Sequence, residues 1–254
     1  NFYDLYDWND DMPRFFVNEP VGDFFEILGN DAAHIVKSLR MQRGEMLTLC
    51  HNELDYVCEI TDFGEGSVKL RLLRIEKCDS EPSVEVTLFQ ALPKGDKMDF
   101  IVQKAVEIGV GEIVPMLTSR CVSRPDEKSL QKKVSRWQKI AEEAAKQSGR
   151  GRIPRVLEAV SFENAVEIAK RSEKTLLFYE NGGSPLRGAI NNTENPRSIA
   201  VFIGPEGGFE RAEVDLASNA AGATICTLGR RILRTETAAM VATALVIYEI
   251  EAKN

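Results

Sequence analysis

Between Arg14 and Lys77 the apolar residues come in short runs, RFFV, MLTLC, LDYVCEI and SVKLRLLRI. Gly44, Asn52 and the turn Gly64-Glu65-Gly66 separate them. Runs of this length, rich in β-branched residues and bounded by turn formers, predict strands. One helix is expected among them, over Asp31 to Leu39, and the segment reads as a compact antiparallel β-barrel. The stretch CDSEPS, residues 78–83, has linker composition. Beyond it the period changes. VEVTLFQAL predicts a strand and Lys97 to Ile108 a helix, with Ile101, Ala105 and Ile108 on one face and Gly109 as its stop. EIVPML, a helix over Lys128 to Gln147, VLEAV, a helix over Phe162 to Arg171, and TLLFYE follow. SIAVFI, a helix over Glu210 to Ala220, TICTLG and a terminal helix over Thr235 to Glu251 complete the series. Alternation of this kind predicts an α/β domain with parallel strands covered by helices on both faces.

Composition narrows the picture. A chain of 254 residues, 43% hydrophobic and 28% charged, is ordinary for a soluble globular protein of one large or two smaller domains. No apolar run approaches the roughly 18 residues of a membrane span. The longest, Ala238 to Ile247, is interrupted only by Thr243 and suits a helix buried within the subunit or across a dimer. Five scattered cysteines without a CxxC pair, and only two histidines, argue against a metal site and fit a reducing cytoplasm. Residues 1–11 carry four aspartates ahead of Met12-Pro13-Arg14, which has the look of a natural start. They are expected to be an extension or a cloning remnant. The net charge of −7 disfavours indiscriminate nucleic-acid binding. Yet residues 128–155 hold nine basic side chains and only Glu142 and Glu143 as acids, a local excess of +7. Such a cluster would neutralise phosphates without reading sequence.

Three predicted strands run into loops of special composition. TLLFYE leads to Asn181-Gly182-Gly183, SIAVFI to GPEGG, and TICTLG to RRILR. In open α/β sheets ligands bind outside the carboxyl ends of the strands. No GxxxxGK[ST] and no GxGxxG opening a helix is present. Glu206, at the centre of GPEGG, would repel a polyphosphate. The expected ligand is therefore neutral or partly cationic; S-adenosylmethionine meets that description, without being singled out by it.

Four separated segments, IGPEGGF, LGRRILRTETA, KGDKMDFIVQKAVEIGV and RWQKIAEEAAKQSGR, together resemble the RsmE family of 16S rRNA uracil-N3 methyltransferases, within the SPOUT class. The resemblance implies a PUA-like, RNA-binding β-barrel over residues 12–78. It also implies a SPOUT domain over 84–254 whose last strands form a trefoil knot. A cytoplasmic homodimer acting on the small ribosomal subunit, with S-adenosyl-L-methionine held in the knot and no metal, follows from it as well. Carried onto this chain, the cofactor loops are Phe178, Tyr179 and Glu180; then Gly204, Pro205, Glu206, Gly207 and Gly208; then Leu228, Gly229, Ile232 and Leu233. The stretch TSRCVSR departs from the family pattern, with Ser119 and Cys121 where Glu and Ser are frequent. It keeps Arg120 and Arg124.

Chemistry at uracil N3 needs loss of an imide proton and stabilisation of the resulting anion. Arg234 is the first candidate and Arg231 the second, against a structural alternative in which the arginine pairs with Glu206 or Glu236. Glu206 is a loop brace, with general base as its alternative role. RNA contacts are expected from Arg136, Arg150 and Arg152 in the basic segment, from Arg120 and Arg124, and from Arg14 and Arg40 in the barrel. Cys226, inside a strand, is read as core and not as a nucleophile. Two other functions stay open at this point: a SPOUT methyltransferase acting on ribose 2′-OH or tRNA, and a non-catalytic RNA-binding assembly factor.

Overall fold

The computed structural model describes residues 12–191 and 196–253. The eleven N-terminal positions expected to be an extension lie outside the described residues. The chain divides into two compact units, the first ending at Glu81 and also taking in Gly149–Arg152, the second holding the remainder.

In the first unit β1 (Arg14–Phe16), β2 (Phe24–Leu28), β3 (Met46–His51), β4 (Leu54–Gly64) and β5 (Ser67–Lys77) form one sheet in the order β1-β3-β4-β5-β2. The sequence predicted four of these strands and missed β2, whose side chains Phe24 and Leu28 face outward and blur the apolar pattern. The ladder is mixed and not wholly antiparallel, because β1 joins β3 in parallel. Register shifts between Val57 and Cys58 and between Ile60 and Asp62 mark irregularities of the kind that bend a long hairpin. The expected helix is a short α-helix, α1 (Gly29–Ala33), running into π-helical turns over His34–Leu39. It covers a core that includes Phe15, Ile35, Leu47, Leu49, Ile60 and Leu70.

Arg150, placed among the RNA contacts by sequence, is 1% exposed in this unit. Its guanidinium forks onto Glu81, with Nε 2.8 Å from Oε1 and a terminal nitrogen 2.7 Å from Oε2. The Gly151 N–H and Arg152 Nε donate to the same carboxylate. Burial opposes ionisation of Glu81, but the hydrogen bond and charge of Arg150 outweigh it and hold the carboxyl below its ordinary range. Arg14 is likewise bound, to both carboxylate oxygens of Asp55 at 2.6 and 2.5 Å. Both arginines fasten this unit internally and are not free for phosphate.

The second unit is built on a sheet in which every pairing is parallel. Its strands are β6 (Glu85–Ala91), β7 (Glu112–Leu117), β8 (Arg155–Val156), β9 (Val160–Ser161), β10 (Lys174–Phe178), β11 (Ser184–Pro185), β12 (Ser198–Ile203) and β13 (Thr224–Thr227). They lie in the order β11-β13-β10-β12-β6-β7-β8, with β9 also on β7. VLEAV, expected as one strand, is two short strands on the same neighbour. The helices are α2 (Lys97–Ile108), α3 (Glu127–Gln147), α4 (Phe162–Ala169), α5 (Leu186–Asn191), α6 (Arg211–Ala221) and α7 (Thr235–Glu251).

Central strands of such a sheet are buried on both faces, which explains the unbroken apolar run of SIAVFI. Phe89 of β6 and Phe202 of β12 are register partners, with rings stacked at 4.4 Å, and Phe162 closes on Phe202 edge-on. Each such side chain contributes about 1.5–3 kcal/mol on burial. Helix ends follow local chemistry. Asp126 accepts from the Ser129 N–H at 2.8 Å to open α3. Gly109 ends α2 at φ +119°, and a β-carbon there would stand 2.5 Å from Pro82. No helix among the described residues is long and apolar enough to cross a membrane.

Candidate active site

Because β13, β10 and β12 are adjacent, the loops at their carboxyl ends meet. They enclose a cavity of about 400 Å³, a volume suited to a small ligand. Phe178, Tyr179 and Glu180 form one wall, Gly204, Pro205, Glu206 and Gly208 a second, and Leu228, Gly229, Ile232 and Leu233 a third. Gly207 alone of the expected positions is not on the lining; its backbone carbonyl turns to Arg120. Arg231, Arg234, Thr235 and Ala238 complete the enclosure.

The glycines here are a matter of space. Gly208 sits at φ +67°, and a β-carbon there would lie 2.0 Å from Glu180 Oε1. One at Gly204 would press within 3.3 Å of the Gly208 backbone and the Phe209 ring. The cradle is thus defined by backbone.

Each turn of GPEGG is anchored from outside. The Thr235 hydroxyl donates to the Gly204 carbonyl at 2.6 Å and accepts from Gln90 Nε2 at 3.0 Å. The Lys97 ammonium lies 3.0 Å from Glu206 Oε1, and the Lys94 N–H donates to that oxygen at 3.2 Å. Arg120 donates to Glu210 at 2.8 Å and to the Gly207 carbonyl at 2.9 Å. Ser119 donates from its backbone and hydroxyl to the buried Glu213, whose other oxygen takes the Glu210 N–H. Partial burial opposes ionisation of Glu206, but its own backbone N–H, Lys97 and Lys94 prevail and keep the carboxyl below its usual range. A carboxylate held ionised in this way is a poor proton acceptor, and its contacts suit a loop brace better than a base. Lys97 occupies the place expected for an arginine partner, pairing with Glu236 as well at 3.3 Å. Sequence reasoning gave Lys97 no role; its position at the start of α2, after the central strand, was the available signal.

Arg234, the residue preceding α7, is exposed, and neither it nor Arg231 forms an ion pair among the described residues. Burial pushes the Cys226 thiol up to about 11, as suits a core residue and not a nucleophile. The basic residues expected at RNA divide. Arg124 donates to the carbonyls of Thr118 and Ser119, Arg136 pairs with Asp99, and Arg152 with Glu81. Arg40 is exposed, in the left-handed conformation at φ +55°. In α3 the side chains of Lys128, Lys132, Lys133 and Lys139 have no acidic partner among the described residues, and Lys128, Lys132 and Lys139 are exposed.

Residues 80–247 match the model of the RNA methyltransferase domain family. The chain is 34% identical to ribosomal RNA small subunit methyltransferase E of Bacillus subtilis, over 89% of this chain and 91% of the relative. It is 36% identical to the protein of that name from Mesomycoplasma hyopneumoniae, over 90% of this chain and 96% of the relative. The chain belongs to the ribosomal RNA small subunit methyltransferase E family. Among solved structures, the family's Neisseria gonorrhoeae member bound to S-adenosyl methionine superposes with a TM-score of 0.81 at 32% identity, covering 92% of this chain and 96% of that one. The four sequence segments that resembled the RsmE family supply the cavity's second and third walls, α2 and α3.

Proposed function

We propose that this member of the family transfers a methyl group from S-adenosyl-L-methionine to N3 of a specific uridine in 16S rRNA of the small ribosomal subunit, in the cytoplasm. The observation that carries the reading is the cavity walled by the three loops that follow β10, β12 and β13, with Arg231 and Arg234, which form no ion pair among the described residues, at its side. Its lining fits the cofactor. Backbone groups and the aliphatic Ile203, Leu228 and Leu233 suit an adenosine, and Glu180, which forms no ion pair among the described residues, supplies negative charge. When bound, S-adenosyl-L-methionine supplies an electrophilic methyl on a sulfonium. The chain's own contribution is electrostatic. Loss of the N3 proton spreads charge over the flanking uracil oxygens, and the guanidinium groups of Arg234 and Arg231, without an ion pair among the described residues, are suited to hold it.

The PUA-like, RNA-binding role of the first unit and the knot belong to the same proposal. What supports a knotted path is that β13 pairs with β10 on the side away from β12, while α7 returns to pack on β6 and β12. A homodimer is supported by exposed apolar residues on the second unit, notably Tyr248 at 64% and Leu245 on α7 and Phe100 on α2. The test is calorimetric titration with S-adenosyl-L-methionine, followed by mass spectrometry of 16S rRNA from a deletion strain with and without the restored chain. Absence of cofactor binding, or a methyl group on another atom, rejects the assignment.

A further inference from the structure

Lys97 lies where two cofactor loops approach each other. Its ammonium is 3.0 Å from Glu206 Oε1 and 3.3 Å from Glu236 Oε2. Glu206 belongs to the second loop. Glu236 stands in the first turn of α7, directly after the third. The two carboxylates are therefore within two ion-pair lengths of each other, and about a fifth of each side chain is exposed. Carboxylates so placed repel each other unless a cation separates them or one binds a proton. The other charged groups around the trio are Lys94 and Asp96 in the turn before α2, Arg231 and Arg234 in the third loop, and Glu180 in the first. Of these only Lys94 reaches Glu206, and it does so through its backbone.

We propose that Lys97 is a positioning residue: by neutralising Glu206 and Glu236 together it sets the spacing of the second and third loops, and with it the affinity for the cofactor. Glu206 and Glu236 both raise the proton affinity of Lys97, the hydrogen bond to Glu206 first, so the bridge stays charged through neutral pH. Without Lys97 the pair must either separate or share a proton. Affinity then becomes a function of pH, being weak where both carboxylates are ionised and recovering where one is protonated. The inference rests on the cofactor reading of the cavity.

The test is calorimetric binding of S-adenosylmethionine to the full chain at about pH 7.5 and about pH 5.5, with the wild type reporting the cofactor's own pH dependence. Lys97→Met is expected to bind roughly ten-fold more weakly than wild type at the higher pH, the effect of about one unit of carboxylate pKa, and to recover about two-fold of that at the lower. Lys97→Arg should stay close to wild type, and Lys97→Met combined with Glu206→Gln should lose the added pH dependence. Lys97→Met binding like wild type, or equally weakened at both pH values, overturns the proposal. Failure of the wild type to bind overturns the cofactor reading instead. Should Lys97→Met not fold by circular dichroism, Lys97→Gln, which keeps a hydrogen-bonding side chain but no charge, carries the same test: affinity equal to wild type, or equally weakened at both pH values, overturns the bridge.

Discussion

Arg150 and Glu81, 69 residues apart, form a two-point ion pair that is almost sealed from solvent, with 2% and 9% of their side chains exposed. Removing the guanidinium leaves a buried carboxylate with Arg152 as its remaining cation. Arg150→Met should therefore destabilise the chain by about 3 kcal/mol, the low end for breaking a buried pair. Urea unfolding measures this. The pH dependence has a definite sign. Glu81 is depressed in the folded state, so its contribution is full above the ordinary carboxylate value of 4.5 and is lost as pH falls through the lower folded value. The stability difference between wild type and Arg150→Met should shrink on acidification below that value.

The same pair marks a limit on what was legible in the chain. Counting charges along residues 128–155 gave an excess of +7, because only Glu142 and Glu143 lie in that stretch. The neutralising groups come from elsewhere: Glu81 for Arg150 and Arg152, Asp99 for Arg136, Glu112 for Arg155. Sequence spacing reports charge but not partners brought close by folding. The parallel alternation was readable because buried strands and amphipathic helices carry their own period. So were the three loops, since glycines clustered directly after a buried strand mark backbone that turns sharply and lets another group come close. Strand β2 and the Lys97 bridge were not, the first because its outward face is apolar, the second because its partners are 109 and 139 positions away.

What remains of the basic surface is on α3. Lys128, Lys132 and Lys139 fall on one helical stripe at spacings of four and seven, exposed and without acidic partners among the described residues. Lys132→Ala and Lys139→Ala should each weaken binding to an rRNA fragment, and each should lower the slope of log affinity against log salt by about one. Arg150→Met should leave that slope unchanged. Filter binding across a salt series separates the two outcomes.

Gly208 combines a left-handed backbone with the closest approach in the cavity. Gly208→Ala forces a β-carbon toward the Glu180 carboxylate, at a backbone angle that costs other residues about 1–2 kcal/mol. If the loop keeps its shape, that strain appears as lost stability. If it relaxes, it appears as lost cofactor affinity, by roughly five- to thirty-fold. Thermal unfolding and calorimetry on one preparation read both, and no change in either would show that the cradle tolerates a side chain.

Arg234 differs from Arg120 and Arg124 in forming no ion pair or hydrogen bond from its side chain among the described residues. Arg120 and Arg124 are spent on Glu210 and on backbone carbonyls, whereas Arg234 lines the cavity with its charge unpaired among the described residues. If that charge acts on the uracil anion, it matters in the transition state far more than in the cofactor complex. Arg234→Ala should then lower kcat by about a hundred-fold or more, the usual effect of losing one oxyanion donor, with the S-adenosylmethionine Kd changed less than about three-fold. Raising the pH should restore part of the rate in Arg234→Ala by supplying more of the ionised uracil, and should do less for the wild type. Equal losses in kcat and cofactor affinity would instead make Arg234 a support of the third loop. Single-turnover kinetics across pH, paired with calorimetry, decides between them.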